Sequence, residues 1–153
     1  MILIKIFLLT VMGICLAVQG FEDLRHKLLY DNVSLTLLGA GLAYAFFFGN
    51  LFESIYACGL VLILMFVIYF CSRGGMGLGD VFLAGALGAW LSPFTSALML
   101  VLAFVMGGIL ALPILIFGKN HKYAVPFAPF LIAAFLLSFF YGKQILDFYF
   151  EMW

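Results

Sequence analysis

The chain has 153 residues, 67% of them hydrophobic and 9% charged, with a mean hydropathy of +1.28. Soluble domains run near half apolar and a quarter charged, and a fold of this size could not withdraw so much apolar side chain from water, so a soluble protein is excluded. Seven Lys and Arg balance seven Asp and Glu, which removes any case for a nucleic-acid partner or a highly charged one.

A helix needs about 20 apolar residues to cross a bilayer core. By that measure six segments are predicted, at 2–21, 33–50, 53–72, 80–92, 94–117 and 125–142. The first has Lys5 ahead of an apolar run, as a signal peptide does. No small-x-small site closes that run and Phe21-Glu22-Asp23 follows directly, so it reads as a retained membrane helix. The fourth is short, and Pro93 marks its end because proline disfavours helix at the residue before it; a tilted or partly buried helix is expected there. The closing stretch, Tyr141 to Trp153, mixes charges with aromatics and reads as an interfacial end. Connections are short and no internal repeat stands out. The expectation is therefore an all-α polytopic membrane protein forming a single domain over residues 1–153.

Orientation follows from the Lys and Arg near the helix ends. The connections after the first, third and fifth segments carry Arg25, Lys27, Arg73, Lys119 and Lys122, against Lys5 and Lys143 on the other side. This predicts that those connections are cytoplasmic and that both termini lie outside.

Cys15, Cys58 and Cys71 lie scattered in apolar runs without a C-x-x-C pair, as packing residues do. His26 and His121 stand alone in connections. With nothing nearby to complete a ligand set, no metal site is expected.

The seven carboxylates say more. Glu53, Asp147 and Glu151 fall on the outer side, where solvation explains them, and Glu22, Asp23 and Asp31 belong to the first cytoplasmic connection. Asp80 closes the run Gly74-Gly-Met-Gly-Leu-Gly-Asp80. An acid near membrane depth is expensive and so points to function. Asp23 at the end of the first helix and Asp80 at the start of the fourth share one leaflet. Two carboxylates that approach within a few ångströms share a proton, so that one takes a proton from water while the other donates to a carbonyl oxygen. The free N–H groups at the start of the fourth helix make Asp80 the natural base.

A plainer reading stands beside this one. Asp80 could be an N-cap, and Asp23 one charge among several, balanced by Arg25 and Lys27. The glycines tilt the choice. Gly77 and Gly79 lack Cβ atoms and allow another backbone to come close, and irregular backbone at membrane depth is tolerated where it faces a cavity. A protease that holds its peptide extended needs such a place.

Gly77-Leu78-Gly79-Asp80 resembles the G-x-G-D signature of intramembrane aspartic proteases. The wider stretch Gly74 to Leu91, together with Asp23-Leu-Arg-His-Lys-Leu-Leu29 and Val125-Pro-Phe-Ala-Pro-Phe130, resembles the type IV prepilin peptidases. Three separated motifs in the right order span nearly the whole chain.

The resemblance implies a six-helix aspartic endopeptidase of a prokaryotic inner membrane, needing no cofactor. It implies a prepilin or pseudopilin substrate, with a basic leader cut on the cytoplasmic side after a glycine. Asp23 and Asp80 would be catalytic, with Gly77, Leu78, Gly79, Pro126 and Phe127 contacting substrate. Longer relatives carry a zinc-binding domain associated with N-methylation. The chain resembles the short members, and no methylation is expected.

Two positions depart from the pattern. The first motif usually runs into a proline turn, where this chain has Tyr30 before Asp31 and Asn32; losing the proline leaves the loop less rigid. A lysine often found two residues after the second aspartate is replaced by Phe82.

Pro126 and Pro129 also suit a plain role at a helix start. The rival functions are a small transporter using the acids as a relay, which calls for acids along a path through the bilayer, and a membrane scaffold in which Gly85 and Gly88 serve helix packing.

Overall fold

Leu78 to Gly88 is apolar on every side, and a helix of that kind belongs inside a bundle. In the computed structural model it sits there. Residues 1–27, 29–72, 76–117 and 126–151 are described, with the side chains of 110–117 excepted. Arg73, Gly74, Gly75, Lys119, His121, Lys122, Val125 and Trp153, singled out in the sequence, lie outside the described residues.

Six helices follow one another with short connections: α1 (Ile2–His26), α2 (Asp31–Phe48), α3 (Leu51–Cys71), α4 (Leu78–Gly88), α5 (Pro93–Phe117) and α6 (Ala128–Glu151). Four of them, α1, α2, α3 and α6, are long and apolar enough to cross a membrane, and α5 runs for 25 residues. The protein is an all-α polytopic membrane protein. Phe52, Phe70, Phe94 and Leu3 point outward, as side chains do where lipid takes the place of water.

α4 is the axis of the bundle. It packs on α2, α3, α5 and α6, and Val81, Leu83, Ala84, Ala86 and Leu87 are buried along it. α1 packs on α2 and α6, and among the described residues its backbone does not approach α4. Small residues allow the close approaches that packing in a bilayer depends on. Gly88 lies against Val61 and the Ala57 carbonyl of α3, and Gly85 against Leu62. Gly41 of α2 makes room for Trp90, whose indole N–H donates to the Leu37 carbonyl at 3.0 Å. Tyr44 stacks on the Trp90 ring at 5.3 Å.

Three helix ends differ clearly from the sequence expectation. α1 runs on to His26 instead of ending near 21, so Glu22, Asp23 and His26 stand on the helix and not in the connection after it. α4 stops at Gly88 rather than at residue 92, closed by tight turns in which the Trp90 N–H donates to Leu87 and the Leu91 N–H to Gly88. Pro93 is the first residue of α5, where its missing N–H is no loss. α6 continues to Glu151 instead of ending near 142. Lys143, Gln144, Leu146 and Glu151 are good helix formers and give no reason to stop, and Gly142 in their midst packs against Thr95.

The α1–α2 connection doubles back on itself. Lys27 takes a left-handed conformation (φ 53°), and its N–H donates to the Asp23 carbonyl at 3.1 Å. It is the one non-glycine with positive φ among the described residues. That turn lays Leu29 and Tyr30 back along the bundle.

Candidate active site

Asp23 lies one turn from the end of α1, is 5% exposed, and reaches the start of α6. There the Ala128 N–H donates to its Oδ2 at 3.1 Å. The choice of donor follows from the local sequence. The Phe127 carbonyl accepts from the N–H groups of Phe130 and Leu131, so Phe127 caps α6 and Ala128 is its first residue. The first N–H groups of a helix have no partner within it, and Pro129 has none to offer. Ala128 is thus the free donor at a helix end that favours negative charge. Lys27 also acts electrostatically on the Asp23 carboxylate.

Asp80 is the third residue of α4, after the cap Gly77. An acid there can turn back toward the cap amide, and the Gly77 backbone N–H interacts with its carboxylate. Its Oδ1 is buried and accepts no hydrogen bond from the described residues. The charge of Asp23 reaches the Asp80 carboxyl. Among the described residues the backbones of α1 and α4 do not come close, and the gap between them is flanked by α2 and α6, the helices that pack on both.

The other sequence-selected residues fall around this gap in different ways. Gly77 and Leu78 are exposed. Gly77 has ordinary extended backbone (φ −77°, ψ 145°), so left-handed freedom is not what it supplies. Gly79 is closed over: a Cβ there would stand 2.8 Å from the Cβ of Leu29. Its missing side chain accommodates the α1–α2 connection of the chain itself. Pro126 and Phe127 are half-buried just before α6, with the Phe127 ring 5.1 Å from that of Phe104 and 3.5 Å from where a Gly107 Cβ would stand. The late Pro-Phe-Ala-Pro-Phe element therefore comes to Asp23 through the backbone of its central alanine. Phe82, on the outward side of α4, packs edge-on to Phe66 at 6.4 Å.

Arg25 lies over the Phe21 ring at 4.4 Å, and His26 pairs with Glu22 at 2.8 Å on the exposed side of α1. Neither faces the two acids. Among the described residues no cluster of His, Cys, Asp and Glu could hold a metal ion.

Ala128 and Leu29 escaped the reading of the sequence as members of the site. The two prolines around residue 128 hinted at a helix start, but no side-chain pattern says which acid such an amide will serve.

Residues 7–112 match the type IV leader peptidase family. The chain is 35% identical to a prepilin leader peptidase/N-methyltransferase of Dichelobacter nodosus over 147 residues, covering 92% of this chain and 49% of that protein. It is 35% identical to the protein of that name from Legionella pneumophila over 142 residues, covering 87% and 49%. For that of Aeromonas hydrophila the identity is 28% over 137 residues, covering 84% and 47%. The chain thus spans about half the length of these relatives. No solved structure matches it. The family match covers the greater part of the chain, including both aspartates, and the chain belongs to the type IV leader peptidase family.

Proposed function

We propose that the chain is an intramembrane aspartic endopeptidase that removes the leader of type IV prepilins or pseudopilins. It cuts after a glycine, on the cytoplasmic side of the membrane, with Asp23 and Asp80 as its catalytic pair. One observation carries this reading. A buried carboxylate fixed by a helix N-terminus acts electrostatically on a second acid whose buried Oδ1 has no hydrogen-bond partner among the described residues.

The chemistry is addition of water to the scissile carbonyl. One aspartate, as carboxylate, takes a proton from water as its oxygen bonds to the carbonyl carbon. The other, protonated, gives its proton to the carbonyl oxygen. Collapse of the tetrahedral intermediate breaks the C–N bond. The amine leaves with the proton taken from water, and the second aspartate recovers its own. Ala128 holds the Asp23 carboxyl in place, and the buried Oδ1 of Asp80, without a partner among the described residues, is free to turn to the water or to the carbonyl oxygen. Exposed Gly77 and Leu78 and the Pro126-Phe127 edge border the pair and offer backbone and apolar surface to an extended substrate. The excess of Lys and Arg at this end supports a cytoplasmic site, with both termini outside.

Co-expression with a prepilin tests the proposal. Wild-type protein is expected to shift the prepilin to its processed length, and Asp23→Asn and Asp80→Asn to leave it uncut while still accumulating in the membrane. Full processing by either variant removes that residue from the pair.

A further inference from the structure

Gln19 is the one amide in the interior of α1, four residues before Asp23 and so on the same face of the helix. It is fully buried. Both ends of its side chain are used, and both act on the α1–α2 connection. Its Nε2 donates to the Tyr30 carbonyl at 3.0 Å and to the Ser34 hydroxyl at 2.8 Å, and its Oε1 accepts the Tyr30 N–H at 3.2 Å.

Tyr30 is the cap of α2, with φ −86° and ψ 115°. Holding its N–H and its carbonyl together fixes the peptide units on either side of it. Leu29 precedes it, and the Leu29 side chain lies directly on Gly79, beside Asp80. A continuous chain of contacts therefore runs from Gln19 through Tyr30 and Leu29 to Gly79. Its two ends stand on the helices that carry the two aspartates, whose backbones do not approach each other among the described residues.

We propose that Gln19 is a positioning residue for the aspartate pair, clamping the Tyr30 backbone so that Leu29 sets the distance of α4 from α1. The proposal rests on the catalytic reading of Asp23 and Asp80. It explains how this chain tolerates Tyr30, whose φ lies close to the value a proline ring imposes. A proline would stiffen the turn covalently and have no N–H to satisfy. Tyrosine is freer and brings a buried N–H, and Gln19 supplies both the restraint and the acceptor.

The two solutions should be interchangeable as a pair and not singly. Gln19→Met keeps the shape and removes the clamp. Tyr30→Pro alone strands the Gln19 oxygen without its donor. Together they remove both partners of the bond from the Tyr30 N–H, while the carbonyl of residue 30 keeps the N–H groups of Val33 and Ser34 and only the Ser34 hydroxyl loses a donor; that costs less than a single orphaned buried group. The assay is cleavage of a synthetic peptide, with a basic leader, a glycine and an apolar helical segment, by purified protein in detergent. Rates, KM and thermal unfolding are measured in parallel.

Gln19→Met is expected to lose about tenfold or more in kcat, with KM within about twofold and unfolding still cooperative. Tyr30→Pro is expected to lose activity as well, and the double variant to return to within about threefold of wild type. Should Gln19→Met fail to accumulate, Gln19→Asn, whose shorter amide cannot span the same distance, carries the test with the same rescue. Wild-type kcat in the Gln19 variant, or a double variant showing the product of the single losses, overturns the proposal. Asp23→Asn in the same assay separates the two levels. If it cleaves normally the catalytic reading fails; if it is dead while Gln19→Met is fully active, only the clamp fails.

Discussion

The two ends of α4 are built from the same kinds of parts and finished differently. At the Trp90 end, Gly41 opens a slot on α2, the indole ring fills it, and its N–H finds the Leu37 carbonyl. At the Asp80 end, Gly79 opens a slot on α4 and Leu29 fills it, yet a buried carboxyl oxygen beside it has no partner among the described residues. Buried polar groups are almost always hydrogen-bonded. Among the described residues the indole is satisfied and the acid is not, and on the proposed function this separates holding together from doing chemistry along one short helix.

Breaking the Trp90 end should therefore damage stability before activity. Trp90→Ala leaves a large cavity and strands the contact with Tyr44. In a bilayer the loss is mainly packing rather than transfer from water, and about 3 kcal/mol is expected. Thermal unfolding in detergent should show it, while kcat of the protein still folded stays near wild type.

Gly79→Ala attacks the other end. Its Cβ meets the Leu29 Cβ, which cannot swing away as a side-chain tip could. Overpacking of this kind costs about 1–3 kcal/mol, and the displacement falls beside Asp80. A drop in kcat out of proportion to the drop in stability is expected, in contrast to Trp90→Ala. Gly41→Ala is the matched control: its Cβ meets the rigid indole, and a similar loss of about 1–3 kcal/mol is expected without the kcat effect. Equal effects of the two alanines on kcat would dissolve the distinction between the ends.

The smallest effect is expected at Lys27. Glycine there relieves a left-handed strain of about 1–2 kcal/mol but gives back roughly 0.5–1 kcal/mol through a more flexible unfolded chain. Lys27→Gly should move the unfolding temperature by only a few degrees. The same titration of unfolding reports whether the connection keeps its turn.

How much of this was legible in the sequence depended on where the information resides. Apolar length and the charges between segments located six helices, because crossing a bilayer is a constraint on composition. The ends of α1, α4 and α6 were misplaced because proline and charge mark helix ends only statistically; Glu22 and Asp23 ride along α1. Pro93 starts a helix rather than stopping one, and the charges of 143–151 ride along α6. Asp23 and Asp80 were legible as side chains in distinctive company.

The groups that hold them were not. Ala128 acts through its backbone N–H, which every residue but proline carries. Leu29 acts by filling the space above Gly79, and nothing in Gly79 itself says whether that space is meant for substrate or for the chain. Gln19 was visible as a lone amide in an apolar run, but its partner at Tyr30 emerges only when the connection folds back along α1. Side-chain chemistry can be read from one dimension; backbone donors and fillers of space need three.

The central claim is that Asp23 and Asp80 work as one unit. The most direct test is kcat for peptide cleavage by purified wild type, Asp23→Asn, Asp80→Asn and the double variant. Groups acting together are strongly non-additive. Each single change is expected to lower kcat by about a thousandfold or more, with the double variant no worse than the singles. Losses that multiply in the double variant, or a single variant retaining more than about a tenth of wild-type kcat, would contradict it.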